Sequence, residues 1–314
     1  MDFRYAARWT TVALAVVLAI GLPLTAGAQP TAPRGVAEPY TPAADAKDLR
    51  AVLFNWERNM GMLKGHDERD MVAMLEYKGK GTIQVDGQPC ALTKYRVSTN
   101  YQTYSQRTQI GCTRANGQAY ANIEVVSWQY AWNEDAPGAE IAGTKGKATP
   151  VPAAVQERLI RLWASPQGAP KAAVAALTDN WLLGANPGTL LADGVNKVRE
   201  TSLVWEGGKP VITFPILGVP GATGTATLDA KYMTEKVVVK QGTNTTEFTY
   251  SDYQDWNNPL NKIEVFYAGK MVETRNGALV RDVSTVETET GNVYVVAPVP
   301  ASVQAAIKVA SPLP

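Results

Sequence analysis

The sequence predicts an α+β fold in which helices cover one face of a wide antiparallel β-sheet. The main observation is the stretch 232–296, where short runs of alternating apolar and polar residues are separated by turn signals. Asn276-Gly277 is the sharpest of these turns, because both central positions of a type I′ turn need a positive φ that Asn and Gly tolerate. A second run of the same kind covers 71–128, and the helical patterns fall before, between and after the two runs.

Helices are predicted where apolar residues recur at every third or fourth position. The first is Ala44–Leu63, and others are predicted at Gln156–Trp163, Lys171–Leu177 and Pro300–Val309. Because this order alternates helices with strand-rich runs, we expect the helices to pack on one face of the sheet. A sheet that is wide and curled in this way can enclose apolar space.

The N-terminus has the pattern of a secretory signal. Arg4 and Arg8 precede an apolar run, Thr10–Leu24, which is shorter than the roughly 20 residues of a membrane-spanning helix. Small residues follow, so we predict a signal peptide, 1–28, cleaved near Ala28. A Pro- and Ala-rich tether, 29–45, and a single domain, 46–314, follow. The sequence therefore predicts a periplasmic or secreted protein that does not span the membrane.

The charges of the chain do not favour a nucleic-acid partner. The 30 basic residues are matched by 29 acidic residues, and removing 1–28 makes the two totals equal. No cluster of Lys and Arg is longer than two residues, whereas nucleic-acid binders usually carry a basic patch.

Two cysteines, Cys90 and Cys112, are expected to form a disulfide. They are the only cysteines of the chain, and an oxidising compartment favours their pairing. The two cysteines sit on predicted strands that fold back about Tyr101, which places them roughly opposite each other. A redox role is not favoured, because the chain has no C-x-x-C motif.

Catalytic signals are sparse. His66 is the single histidine, and no G-x-S-x-G turn accompanies it, so we predict no catalytic triad, no metal site and no cofactor. Asp252 and Asp255 flank aromatic residues and define an alternative, the two acids of a hydrolase, although turn chemistry also accounts for them. The pair Glu134-Asp135 is expected to lie in a solvated loop.

Aromatic residues supply the candidate binding surface. Ligand pockets are often lined by such side chains, and a sheet that curls around helices can leave an apolar cavity between them. Two walls are predicted from same-face positions. The first contains Phe248, Tyr250, Ile263, Val265 and Tyr267, and the second contains Trp128, Tyr130 and Trp132.

The order of elements resembles a known family. The features that carry the resemblance are helix Leu49–Leu63, a Trp-bearing strand pair, helix Gln156–Trp163, the runs Leu228–Lys240 and Phe248–Asp255, and the closing strands Lys262–Ala268, Met271–Thr274, Leu279–Val286 and Tyr294–Pro298. Together they resemble the LolA-like and LppX-like lipoprotein-localisation proteins. The resemblance implies a strongly curved antiparallel sheet, an unclosed β-barrel that covers helices and shelters acyl chains. The disulfide-bearing hairpin and the long loop Ala136–Pro150 depart from that pattern.

The sequence thus leads to one function hypothesis and two alternatives. The first is a non-enzymatic periplasmic carrier that binds lipid or lipoprotein acyl chains in an apolar cavity between sheet and helices, with an envelope protein as a further partner. One alternative is a secreted hydrolase that uses a carboxylate pair. The other is an envelope interaction module that uses a sheet edge.

Overall fold

Fourteen strands of the described chain form one antiparallel sheet. The computed structural model describes residues 40–64, 69–178, 184–256, 266–290 and 293–307. The predicted signal peptide and the tether as far as residue 39 lie outside the described residues. All described residues belong to one unit, Pro39–Pro314.

The strands are short to medium in length and follow one another with few helices between them. In chain order they are β1 (Leu63–Lys64), β2 (Arg69–Asp70), β3 (Met74–Val85), β4 (Gln88–Asn100), β5 (Ser105–Arg114), β6 (Ala119–Ser127), β7 (Tyr130–Glu134), β8 (Ala148–Pro150), β9 (Lys197–Val198), β10 (Thr201–Glu206), β11 (Lys209–Pro215), β12 (Ala222–Leu228), β13 (Thr234–Gln241), β14 (Asn244–Ser251), β15 (Gln254–Asp255), β16 (Phe266–Tyr267), β17 (Lys270–Arg275) and β18 (Ala278–Thr290). The helices are α1 (Leu49–Asn59), α2 (Val155–Trp163), α3 (Gly168–Ala175), α4 (Pro187–Leu190) and α5 (Ala301–Ala306).

The strand order shows that the sheet is open. It runs β8-β7-β6-β5-β4-β3-β18-β17-β14-β13-β12-β11-β10-β9, so the first meander forms one half and the second meander forms the other. Strands β18 and β3 join the halves in the middle of the sheet. The edge strands β8 and β9 lie at opposite ends and each pairs with one neighbour among the described strands. This arrangement confirms the predicted antiparallel, unclosed sheet.

Contacts of α2 and α3 with strands near both ends of the sheet show that the sheet is strongly curved. Arg158 of α2 donates hydrogen bonds to the carbonyl oxygens of Val125 in β6 and Trp132 in β7, at 2.8 and 2.7 Å. Thr201 of β10 donates to the carbonyl of Ala173 in α3, at 3.0 Å. In a flat sheet β7 and β10 would lie about 50 Å apart at the usual strand spacing. Each of these helices is only about 12–14 Å long, so the sheet wraps around them.

Helices lie on both faces of the first half of the sheet. Val125 and Val126 are neighbours in β6 and therefore point to opposite faces. Val126 belongs to the main core with α1, α2 and α3, whereas Val125 packs in a second cluster with Trp132 and with Val303 of α5. The expectation that all helices share one face is therefore wrong for the C-terminal helix.

Helix α1 is shorter than the predicted Ala44–Leu63. It begins after Asp48, whose carboxylate accepts a hydrogen bond from the backbone N–H of Ala51 at 2.9 Å and so caps the helix. It ends before Gly61, whose φ of 73° leaves the helical region. Within the described residues no helix is both long and apolar enough to cross a membrane.

Strand β3 bends at two glycines. Its register against β4 shifts between Lys78 and Thr82, and β18 carries a matching irregularity. A Cβ at Gly79 would lie 2.5 Å from a methyl carbon of Val283, and a Cβ at Gly81 would lie 2.1 Å from the carbonyl oxygen of Asp282. Only glycine allows the two strands to approach this closely at the bend, which lies where the halves of the sheet join.

The predicted disulfide between Cys90 and Cys112 is confirmed. It joins the paired strands β4 and β5 with a Cα–Cα distance of 5.5 Å, and both cysteines are buried. Closing this 22-residue separation stabilises the fold by about 3 kcal/mol on loop-entropy grounds.

Candidate functional site

The space between the curved sheet and the helices is largely filled by side chains. The enclosed cavity that described residues line there has a volume of about 20 Å³, which is room for one water molecule. Phe248 and five tyrosines lie around it: Tyr77, Tyr95, Tyr101, Tyr250 and Tyr267. The apolar hollow expected from the sequence is therefore not open in this conformation.

The tyrosine hydroxyls around this inner cavity are held by hydrogen bonds. Tyr250 donates to the carbonyl of Ala164 at the end of α2, at 2.8 Å, and the hydroxyl of Tyr101 lies 3.3 Å from that of Ser165. Burial raises the pKa of Tyr250 and of Tyr101 above the ordinary value. Both groups are neutral at physiological pH and act as polar anchors between the sheet and the α2–α3 connection.

A buried charge network closes one side of the inner cavity. Glu273 of β17 is 1% exposed and accepts from the Nε atoms of Arg161 in α2 and Arg281 in β18, at 3.1 and 3.0 Å. Burial alone would raise the pKa of Glu273, but the two guanidinium groups overcome it and hold that pKa below its ordinary value. Glu124 of β6 lies 3.8 Å from both arginines. The network thus ties α2 to both halves of the sheet.

The buried Arg161–Glu273 pair also borders a second space. Both residues line a second, open cleft of about 300 Å³ between α2 and the β13–β14 turn. Glu157, at the edge of that cleft, has its pKa lowered to about 2, because Arg161 and Arg275 outweigh the effect of burial. This cleft is therefore strongly charged, which does not suit an apolar ligand.

A larger cleft lies between the two ends of the curved sheet. Its volume is about 780 Å³. The β6–β7 turn with Trp128 lines one side, the β11–β12 loop with Ile216, Leu217 and Val219 lines the other, and the end of α3 with Ala175 completes it. Arg199 and Glu200 also contribute to the lining and are exposed. We call this space the mouth cleft.

Gly218 allows the two sides of the mouth cleft to meet. Its φ is 76°, and a Cβ there would lie 3.1 Å from the indole ring of Trp128 and 3.1 Å from a methyl carbon of Leu159 in α2. The turn that carries Trp128 is also left-handed, with a φ of 51° at Trp128 itself. These two backbone conformations set the position of the indole against the opposite loop.

A series of aromatic contacts leads from the mouth cleft to the inner cavity. Trp128 lies 5.0 Å from Tyr104 between ring centroids, and Tyr104 lies 4.9 Å from Trp163 in an edge-to-face arrangement. Trp163 in turn lies 6.2 Å from Tyr101, which lines the inner cavity. The distances suit favourable aromatic pairs. Both spaces thus border one continuous aromatic core.

The structure separates the predicted binding residues into groups. Phe248, Tyr250 and Tyr267 do come together around the inner cavity, while Trp128 lies in the mouth cleft. Tyr130 and Trp132 do not share a wall with Trp128, because they pack in the second cluster beneath α5. The remaining two, Ile263 and Val265, lie outside the described residues.

Glu134, which was expected in a solvated loop, is buried at the end of β7. It is 4% exposed and accepts from Arg107 at 3.0 Å and from the indole N–H of Trp132 at 3.0 Å. Both carboxylate oxygens of Glu134 thus accept hydrogen bonds within the fold. Asp252 and Asp255 are exposed, and neither lines the three spaces described above. His66 lies outside the described residues.

Sequence reasoning missed the charge network and the mouth cleft. Arg161 and Glu273 are 112 positions apart, and Glu273 stands at an inward position of a strand where an apolar residue is the usual occupant. The one available signal was this break in alternation. Among the described residues no three His, Cys, Asp or Glu side chains converge into a metal-binding group.

Comparisons with known proteins give limited similarity. No protein-family model matches the chain, and no curated protein matches it. Among solved structures, the chain is similar to a crystal structure of a domain assigned to an outer membrane lipoprotein-sorting protein from Vibrio parahaemolyticus. The identity is 9%, the TM-score is 0.40, and the match covers 77% of this chain and 93% of that chain. These values do not place the chain in a family.

Proposed function

We propose that this protein is a non-enzymatic periplasmic binder of ligands that carry an acyl chain, such as lipids or lipidated proteins. The acyl chain of the ligand binds in the mouth cleft. The observation that carries the proposal is the size and lining of that cleft. A volume of about 780 Å³ falls in the usual range for small-molecule sites, about 300–1,000 Å³. Its walls are mostly apolar or small residues.

Apolar burial is sufficient for such a function. Each methylene group removed from water contributes about 0.8 kcal/mol, so a chain of moderate length needs no catalytic or charged partner. Glu200, which is exposed at the cleft, offers a polar contact for a positively charged head group. Since the inner cavity has a volume of only about 20 Å³, we assign the acyl chain of the ligand to the mouth cleft and not to the space beneath the sheet.

The compartment is inferred from two features. The first 28 residues have the pattern of a signal peptide, and the disulfide between Cys90 and Cys112 is compatible with an oxidising space outside the cytoplasm. Native mass spectrometry of the protein purified from its host envelope tests the proposal directly. Co-purifying lipid or lipopeptide is the expected result, and ligand-free protein that binds no apolar probe would contradict it.

A bulky side chain at Thr223 is expected to obstruct the mouth cleft. Thr223 lines the cleft and is exposed on β12, so Thr223→Trp adds an indole to that wall. We expect the affinity for a fluorescent fatty acid to fall about tenfold, which corresponds to about 1.4 kcal/mol. Fluorescence titration of the fatty acid measures the change.

Thr225→Trp is the matched control for this variant. Thr225 lies two positions further along β12, on the same face of the strand, and it does not line the cleft. Its replacement should change the affinity less than about twofold. Equal affinities of the two variants would show that the fatty acid binds elsewhere.

A further inference from the structure

A buried lysine, aspartate and glutamate form a cluster outside the mouth cleft. Lys171 of α3 is paired with Asp70 of β2, and their side chains are only 1% and 2% exposed. Glu57 of α1 is 1% exposed, and the charges of both other residues act on it. The three residues come from three separate elements, so the fold itself brings them together.

The surroundings of the cluster fix its members. Lys171 stands in a helix whose residues are all buried, and its Nζ lies 5.1 Å from the ring centroid of Tyr101. The Oδ1 atom of Asp70 accepts a hydrogen bond from the backbone N–H of Val72 at 3.0 Å, while Oδ2 faces the lysine. Oε2 of Glu57 is buried and has no hydrogen-bond partner among the described residues. One oxygen of the Asp70 carboxylate thus accepts a backbone hydrogen bond, and the other oxygen faces the amine of Lys171.

We propose that Lys171 and Asp70 condense to an intramolecular isopeptide bond, with Glu57 as the group that shuttles the proton. A bond forms between Nζ of Lys171 and Cγ of Asp70, the Cγ–Oδ2 bond breaks, and that oxygen leaves as water. The ammonium and the carboxylate together supply every atom of the amide and the water. Glu57, in its acid form, first gives a proton to the departing oxygen, then takes one from the amine nitrogen and ends unchanged, so no other reagent is consumed.

Burial is the physical reason for this reaction. In water both ions are well solvated and do not condense, whereas the buried site excludes water, which disfavours hydrolysis of the amide once it has formed. Fixed neighbours in a protein react with effective molarities of about 10⁵–10⁸ M. The product is a neutral amide, which removes two charges from the core.

Each neighbouring group has a role in this step. The N–H of Val72 is directed at Oδ1, where negative charge develops when the amine adds to Cγ. Burial and the charge of Asp70 raise the pKa of Glu57 well above its ordinary value, against the opposing effect of Lys171. The raised pKa favours the protonated form of Glu57, which has a proton to give.

Mass spectrometry of the full chain tests the proposal. With its N-terminus determined and its disulfide reduced, the folded protein should be lighter than its sequence by the mass of one water. Proteolysis should release a branched peptide that joins the segments around Asp70 and Lys171. Lys171→Met removes the nucleophile, and Glu57→Gln preserves the shape of the side chain but cannot transfer the proton. Both variants should retain the full mass.

The pair Lys209 and Glu235 provides a control within the same protein. Their charged atoms are 2.5 Å apart, but the side chains are 46% and 41% exposed, so their peptides should be recovered unlinked. Circular dichroism establishes that each variant is folded. A wild-type protein that is folded and has the full mass would overturn the proposal, and a branched peptide in Glu57→Gln would overturn the role of Glu57.

Discussion

Replacement of Glu273 by Gln is expected to lower the free energy of unfolding by about 3–5 kcal/mol. Glu273 is 1% exposed and accepts from Arg161 and Arg281. Its loss removes the nearest carboxylate of the buried Arg281 and one of the two close carboxylates of Arg161, which keeps Glu157 at 2.5 Å. The remaining carboxylate near both, Glu124, lies 3.8 Å from each and cannot restore the contacts. Urea unfolding at neutral pH measures the change.

The same residue predicts how stability responds to acid. Burial would raise the pKa of Glu273, but Arg161 and Arg281 dominate and lower it. A carboxylate with a lowered pKa stabilises the fold above the unfolded pKa of about 4.3, and this contribution is lost as the pH falls towards the folded value. The difference in unfolding free energy between wild type and Glu273→Gln should therefore stay constant above about pH 5 and shrink below pH 4.

Glu287→Gln is the control for Glu273→Gln, because it also removes one paired carboxylate charge but from an exposed position. Glu287 pairs with Lys78 at 2.8 Å, but the two side chains are 55% and 42% exposed. Because exposed pairs contribute little, the unfolding free energy should change by less than about 1 kcal/mol. If Glu273→Gln were as mild as Glu287→Gln, the network would not be the connection between α2 and the sheet that its geometry indicates.

Local signals in the sequence were enough to predict most of the strands, although the prediction of a closing strand at Tyr294–Pro298 is wrong, because the last strand of the described chain is β18. Alternation and turn residues placed the hairpin at Asn276-Gly277, and these residues have φ values of 48° and 81° between β17 and β18. The pairing of Cys90 with Cys112 followed from their places on neighbouring strands. Such features depend on residues close in the chain or on one simple register, which is why they can be predicted.

The candidate functional site could not be predicted from the alternation of apolar and polar residues alone. The prediction of one wall from Trp128, Tyr130 and Trp132 assumed a continuous strand, but the chain turns at Trp128, where φ is 51°. Tyr130 and Trp132 then point away from the main core. The volume left inside a curved sheet depends on how side chains from distant elements pack, so no local pattern could predict that Trp163 and the tyrosines would fill it.

Trp163→Ala is expected to lower the free energy of unfolding by about 3–5 kcal/mol, the usual range for removing a buried tryptophan. Trp163 of α2 is 0% exposed and packs against both Tyr101 and Tyr104. Its indole N–H is buried without a hydrogen-bond partner among the described residues, so its contribution comes from packing and not from a polar contact. Urea unfolding again provides the measurement.

Trp205→Ala supplies the comparison for a tryptophan at the surface. Trp205 of β10 is 36% exposed and donates one hydrogen bond, to the carbonyl of Lys47 at 3.0 Å, so its loss should cost no more than about 1.5 kcal/mol. Titration of Trp163→Ala with the fatty acid then tests whether the space that Trp163 fills is packed core or a binding site for the ligand. If the fatty acid binds in the mouth cleft, removing the indole of Trp163 destabilises the protein without raising its affinity for the fatty acid. A stable Trp163→Ala protein with higher affinity would instead place the ligand beneath the sheet, where Trp163 now stands.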